Sequence, residues 1–170
     1  MNILRNSADV KGEESLSNKL RRKRFALFLD IYNRFGGKQV RILDIGGTVN
    51  FWEQMNFTAE HCSITLVNPE SELSPYPHII SETGRAENLS RYGSNQFDIV
   101  FSNSVIEHLG SFENQKLMAE EVRRLAPVYF IQTPAYEFPV EPHFLFPGFH
   151  YLPRKGRIFL TEQFNLGWYR

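Results

Sequence analysis

The chain has 170 residues, 42% of them hydrophobic and 14% aromatic, enough to bury one core without metal or disulfide support. Its 19 basic and 19 acidic residues leave zero formal net charge, so no overall field draws it to nucleic acid or an anionic membrane; such a partner would need a local patch. The single cysteine, Cys62, excludes an intramolecular disulfide and a multi-cysteine zinc site and suits a reducing, cytoplasmic setting, and no run approaches the ~20 apolar residues of a membrane span.

Met1 to Gly12 is polar and reads as a flexible arm, with residues 13–170 expected as one domain. From Glu13 to Phe35, the apolar residues Leu16, Leu20, Phe28, Ile31, Tyr32 and Phe35 recur at helical spacing. Gly36-Gly37 then supplies a stop, because glycine tolerates the left-handed conformation that ends helices. Short apolar runs follow at Val40–Ile45, Ser63–Val67, His78–Ser81, Phe97–Ser102 and Val128–Gln132, each of strand length. Between the last two, Ser111 to Leu125 sets Phe112, Leu117, Met118, Val122 and Leu125 on one helical face. This alternation predicts an α/β fold, a Rossmann-like parallel sheet with flanking helices and right-handed crossovers. Pro69–Pro77 and Thr133–Pro153 read as loops, and loops after strand C-termini are where open α/β sheets hold ligands.

The run Val40-Arg41-Ile42-Leu43-Asp44-Ile45-Gly46-Gly47 is a strand that ends in an acid and opens into a Gly-Gly turn, where a nucleotide-type ligand can approach the backbone. Some twenty residues on, Asn68 ends the second strand; it can donate to and accept from a ribose hydroxyl, or serve as turn chemistry before Pro69, with Glu70 as the nearby acid. Then come Gly84-Arg85-Ala86-Glu87 and Phe97-Asp98-Ile99-Val100-Phe101-Ser102-Asn103-Ser104-Val105-Ile106-Glu107-His108-Leu109.

From Val40 to Pro134 this ordered set resembles the small-molecule branch of the class I S-adenosylmethionine-dependent methyltransferases. The resemblance implies a cofactor cradle for S-adenosyl-L-methionine. Asp44, Ile45, Gly46 and Gly47 would hold the methionine end, Asn68 and Pro69 the ribose, and Ala86 and Glu87 the adenine, with Ser102, Asn103 and Ser104 closing the site. Two glycines replace the family's usual three, and Arg85 stands where an Asp commonly precedes the Ala. Glu107 and His108 are the catalytic candidates, an imidazole of near-neutral pKa being suited to take a proton from an acceptor hydroxyl; the competing reading is a pair bracing the loop. No metal site is carried over, since Ser104 replaces the first Glu of the metal-binding pattern found in some members.

His143 and His150 make a poor zinc pair and are read as acceptor-side residues. Phe51 and Trp52 either pack over the cofactor or belong to the core. The basic run Arg21-Arg22-Lys23-Arg24 reads as a solvated helix face. The expected function is methyl transfer to a small-molecule or glycan-type acceptor, with no nucleic-acid partner. Its rivals are a catalytically degenerate binding module and, given the poor match of Gly46, Thr48 and Phe51 to Gly-x-Gly-x-x-Gly, a nicotinamide-dependent oxidoreductase. Five strands are legible where the family has seven, so the last two are expected to be missing, either by truncation or in a short domain that covers its edge by forming a homodimer.

Overall fold

The computed structural model describes residues 16–57, 61–135, 140–141 and 146–163. The chain divides into two compact units, one formed by residues 25–133 and the other by the segments on either side of it. The arm at Met1–Gly12, His143 and the terminal residues from Asn165 onward lie outside the described residues.

Helix α1 (Leu16–Asn33) is closed by Gly36 and Gly37, both at positive φ, as their sequence predicts. Five parallel strands follow: β1 (Val40–Ile45), β2 (Cys62–Asn68), β3 (Ile79–Thr83), β4 (Ile99–Asn103) and β5 (Val128–Gln132), in the order β3-β2-β1-β4-β5. Sequence order runs outward from β1 in one direction and resumes beside it at β4, so the β1/β4 boundary is the topological switch point. Helix α2 (Val49–Gln54) follows β1, and α3 (Phe112–Leu125) connects β4 to β5. Thr48 caps α2 by accepting from the Phe51 N–H, and Ser111 caps α3 by accepting from Asn114.

Strands covered on both faces are buried at nearly every position, and β1 is such a strand, exposed only at Arg41. Its residues alternate between two cores. Ile42 joins an aromatic cluster with Phe25, Phe28, Trp52 and Phe101, whereas Leu43 and Ile45 join Val67, Leu89, Val100 and the α3 residues Met118, Val122 and Leu125. The phenylalanine-rich composition is spent largely on the first of these: Phe28 sits edge-on to Trp52, Phe57, Phe101 and Phe130 at centroid separations of 5.0–6.1 Å. Cys62 is a buried core residue at the start of β2.

Three expectations need correcting. Phe112 is 81% exposed, because as the first residue after the cap it precedes the turn at which α3 meets the sheet. Strand β4 begins at Ile99, not Phe97: Asp98 instead folds its carboxylate onto the backbone N–H and guanidinium of Arg41 at 2.8–3.2 Å. Within the segment read as loop from Thr133 to Pro153, an antiparallel pair forms between β6 (Val140–Glu141) and β7 (Phe146–Pro147), followed by a 3-10 turn at Phe149–Tyr151. Helix α4 (Arg154–Gln163) comes after it.

Candidate active site

At the C-terminal end of β1 the chain must turn between two side chains that leave no room. A Cβ on Gly47 would overlap the Asp44 carboxylate, and one on Gly46, whose φ is +79°, would overlap a methyl of Val105. These two glycines are thus demanded by the protein's own packing, and the turn rests against the acid below it. Gly46 donates to the Val67 carbonyl at 2.8 Å, and the Asn68 amide donates to the Gly47 carbonyl at 2.7 Å, so the end of β2 fixes the turn from the other side.

Asp44 is 1% exposed. Strand alternation points it with Ile42 toward the aromatic cluster, where the Trp52 indole donates to Oδ2 at 2.9 Å. Its Oδ1 is buried without a partner. Burial raises the Asp44 pKa to about 7, against the pull of the indole hydrogen bond. An unpaired oxygen on a buried carboxylate is costly and marks a place where a donor is wanted.

Beside this turn lies a cleft of about 260 Å³ lined by Ile45, Gly46, Val67, Pro69, Gly84, Arg85, Ala86, Glu87, Val105, His108 and Leu109. Of the residues singled out in the sequence, Ile45, Gly46, Pro69, Ala86, Glu87 and His108 line it together. Asp44, Gly47, Asn68, Ser102, Asn103, Ser104 and Glu107 do not: they form the layer that supports it or stand on its β4 side. Ser102 is buried and donates to the Ile45 carbonyl at 2.9 Å, which ties β4 to β1 directly beneath the turn. Ser104 takes a positive φ of 60° and donates its N–H to the Gln132 carbonyl, so the backbone bends sharply as it leaves β4. Glu87 is held below the usual carboxylate range, first by a backbone hydrogen bond and then by Arg85 at 2.6 Å.

The two catalytic candidates part company. His108 is exposed and lines the cleft. Glu107 turns toward the end of β5, where Thr133 donates to Oε2 at 3.0 Å and Oε1 is buried without a partner. Phe51 and Trp52 belong to the aromatic core. His150 falls in the 3-10 turn of the other unit.

Sequence reasoning did not place Val67, Gly84, Val105 or Leu109 on the cleft wall. The parallel register pairing Asn68 with Thr83 brings Gly84 level with the end of β2, where its N–H donates to the Asn68 carbonyl at 2.7 Å. A glycine one residue past an edge strand is the available signal, since a Cβ there would press on Val67 at 2.7 Å. Among the described residues, no cluster of His, Cys, Asp and Glu could hold a metal ion, and no helix is long and apolar enough to cross a membrane.

Among solved structures the chain is similar to an arsenic(III) S-adenosylmethionine methyltransferase from Chlamydomonas reinhardtii, at 24% identity and a TM-score of 0.39, covering 54% of this chain and 37% of that one. It is also similar to a SAM-dependent methyltransferase from Aquifex aeolicus, at 16% identity, TM-score 0.42 and coverage of 57% and 56%. A third is an S-adenosylmethionine-dependent methyltransferase from Mesorhizobium loti, at 13% identity, TM-score 0.47 and coverage of 61% and 50%. The chain therefore spans between about a third and somewhat over half of these proteins' lengths. No curated protein matches it. The sequence model of the methyltransferase domain matches residues 43–128, half of the chain, most of the sheet and every residue lining the cleft just described. The chain belongs to the methyltransferase-domain family.

Proposed function

We propose that the chain binds S-adenosyl-L-methionine across the C-terminal edge of β1, β2 and β3 and serves methyl transfer to a small-molecule or glycan-type acceptor. The observation that carries this reading is the buried Asp44 carboxylate, with one oxygen unpaired, beneath a glycine turn that opens into the cleft. The negative charge that carboxylate can place under the Gly46-Gly47 backbone favours a cation at the turn, such as the ammonium of the methionine end. Asn68 and Pro69 are assigned to the ribose, and Ala86 and Glu87, between the apolar walls of Val67 and Leu109, to the adenine. Ile45 and the Gly46-Gly47 turn take the methionine end with Asp44, and Ser102, Asn103 and Ser104 hold the β4 side.

When bound, the cofactor supplies an electrophilic methyl on a sulfonium that already carries its leaving group. What remains for the protein is alignment, exclusion of water and a place for the acceptor's proton. Glu107 and His108 are the groups assigned to that proton, His108 directly from the cleft wall and Glu107 from beside it, where it accepts from Thr133.

Calorimetric titration with S-adenosylmethionine and its demethylated product, with a nicotinamide dinucleotide as control, tests the proposal. Binding of the first two alone, lost in Asp44→Ala, is the expected result. Failure of both to bind a folded chain would refute it and turn attention to a partner-binding module.

A further inference from the structure

Helix α4 (Arg154–Gln163) contains no buried residue. Its Ile158 and Phe159 are 44% and 59% exposed, and Tyr151, just ahead of the helix, is 59% exposed. Each exposed apolar side chain has an exposed cation one helical turn earlier: Arg154 precedes Ile158 and Lys155 precedes Phe159, both at i, i+4 spacing and so on a shared face. Glu162, one turn after Ile158, is the acid on that face.

Cations paired with exposed apolar residues call for a surface that is anionic above and apolar beneath. A nucleic acid would satisfy the cations and leave Ile158 and Phe159 in water; an apolar protein groove would do the reverse. We propose that α4 docks this unit on an anionic phospholipid surface. Ile158 and Phe159 enter the boundary between headgroups and acyl chains, Tyr151 lies at headgroup level, and the exposed Arg154 and Lys155 extend along their own methylene stems to lipid phosphates. With the chain's net charge at zero, attraction to an anionic surface has to come from a local patch such as this one. The proposal is independent of the methyl-transfer reading, since it uses no residue of the cleft.

Co-sedimentation of the full chain with sucrose-loaded vesicles tests it, comparing phosphatidylcholine alone with phosphatidylcholine mixed with phosphatidylglycerol. The chain should partition onto the mixed vesicles, weakly onto the neutral ones, and less as salt rises. Arg154→Ala and Lys155→Ala should each cut partitioning roughly fivefold, the worth of one cation at an anionic surface. Phe159→Asp should abolish it, and Ile158→Ser, a milder change at an equally open position, should weaken it with an unchanged melting temperature. Equal partitioning onto both vesicle types, none onto either, or indifference to Phe159→Asp would overturn the proposal. So would light scattering that shows a dimer which Phe159→Asp dissociates, because the face would then be an interface between copies.

Discussion

Asp44 carries two opposed demands. Its carboxylate is fully enclosed, with a pKa raised to about 7 by burial, so folding favours its protonated form. Between the ordinary value near 3.8 and about 7 the folded state holds a proton that the unfolded chain releases. Asp44 therefore contributes stability that is complete at low pH and drains away as pH rises through that window, at up to about 1.4 kcal/mol per pH unit. Asp44→Asn keeps an oxygen to accept from Trp52 and cannot ionise. Its melting temperature relative to the parent should rise steadily between pH 5 and pH 7.5 and then level off, while binding of S-adenosylmethionine weakens. A difference in melting temperature that stays flat across that range would show that the carboxylate is not held neutral. Part of this residue's placement was legible: an acid ahead of paired glycines announces a turn at the sheet's edge. The capture of its oxygen by Trp52, eight residues away, was not, because that contact depends on the angle at which α2 leaves the turn.

At the scale of elements, the strands were legible as short, mostly apolar runs, and β1 and β5 begin and end where those runs do, although β5, at the sheet's edge, has no fully buried residue. The edge strand β3 was the weakest signal, and Ile80, 54% exposed, shows why: two of its five residues are exposed and only Ile79 is buried. Least legible was the segment between β3 and β4, which has no periodicity of its own. It is held by side chains from α3. Arg124 donates to the Tyr92 carbonyl at 2.6 Å and the Leu89 carbonyl at 3.0 Å, and Glu121 accepts from the Leu89 N–H at 2.9 Å while pairing with Arg124. Hydrogen bonding to Arg124 is the main cause that holds the Glu121 pKa below its usual value, so this contribution is present above pH ~4.5 and is lost as pH falls through the lowered value. Arg124→Met keeps the stem and removes the guanidinium's bonds to Tyr92, Leu89 and Glu121, leaving the one from Leu89 N–H to Glu121. It should cost about 1–3 kcal/mol in denaturant unfolding at neutral pH, with a smaller difference at pH 3. A neutral-pH loss below about 0.5 kcal/mol, the scatter of ordinary surface substitutions, would mean that the segment is fixed by Leu89 and Tyr92 packing alone.

Across the unit formed by residues 25–133, one sheet separates two cores, and the same strand serves both. Ile42 and Asp44 face the aromatic cluster, and Leu43 and Ile45 face the cluster built on α3. The sequence announced both faces through its apolar runs, yet assigned no side chain to one core or the other, because the side each helix covers is a property of the crossovers. The arrangement ties the cores thermodynamically: a strand cannot lose its partners on one face and keep its register on the other. Leu125→Ala, a fully buried truncation on the α3 side, should therefore lower the midpoint seen by near-ultraviolet circular dichroism of the aromatic cluster and the midpoint seen by far-ultraviolet backbone signal equally. The loss should be about 2–5 kcal/mol, as for other buried leucine truncations. Phe28→Ala, on the opposite face, should move both signals in the same way. Two midpoints that separate in Leu125→Ala would show that the aromatic face holds together without its counterpart, and that the cleft, whose walls Ile45, Val67 and Ala86 all belong to the α3-side core, can open while α1 and α2 stay packed.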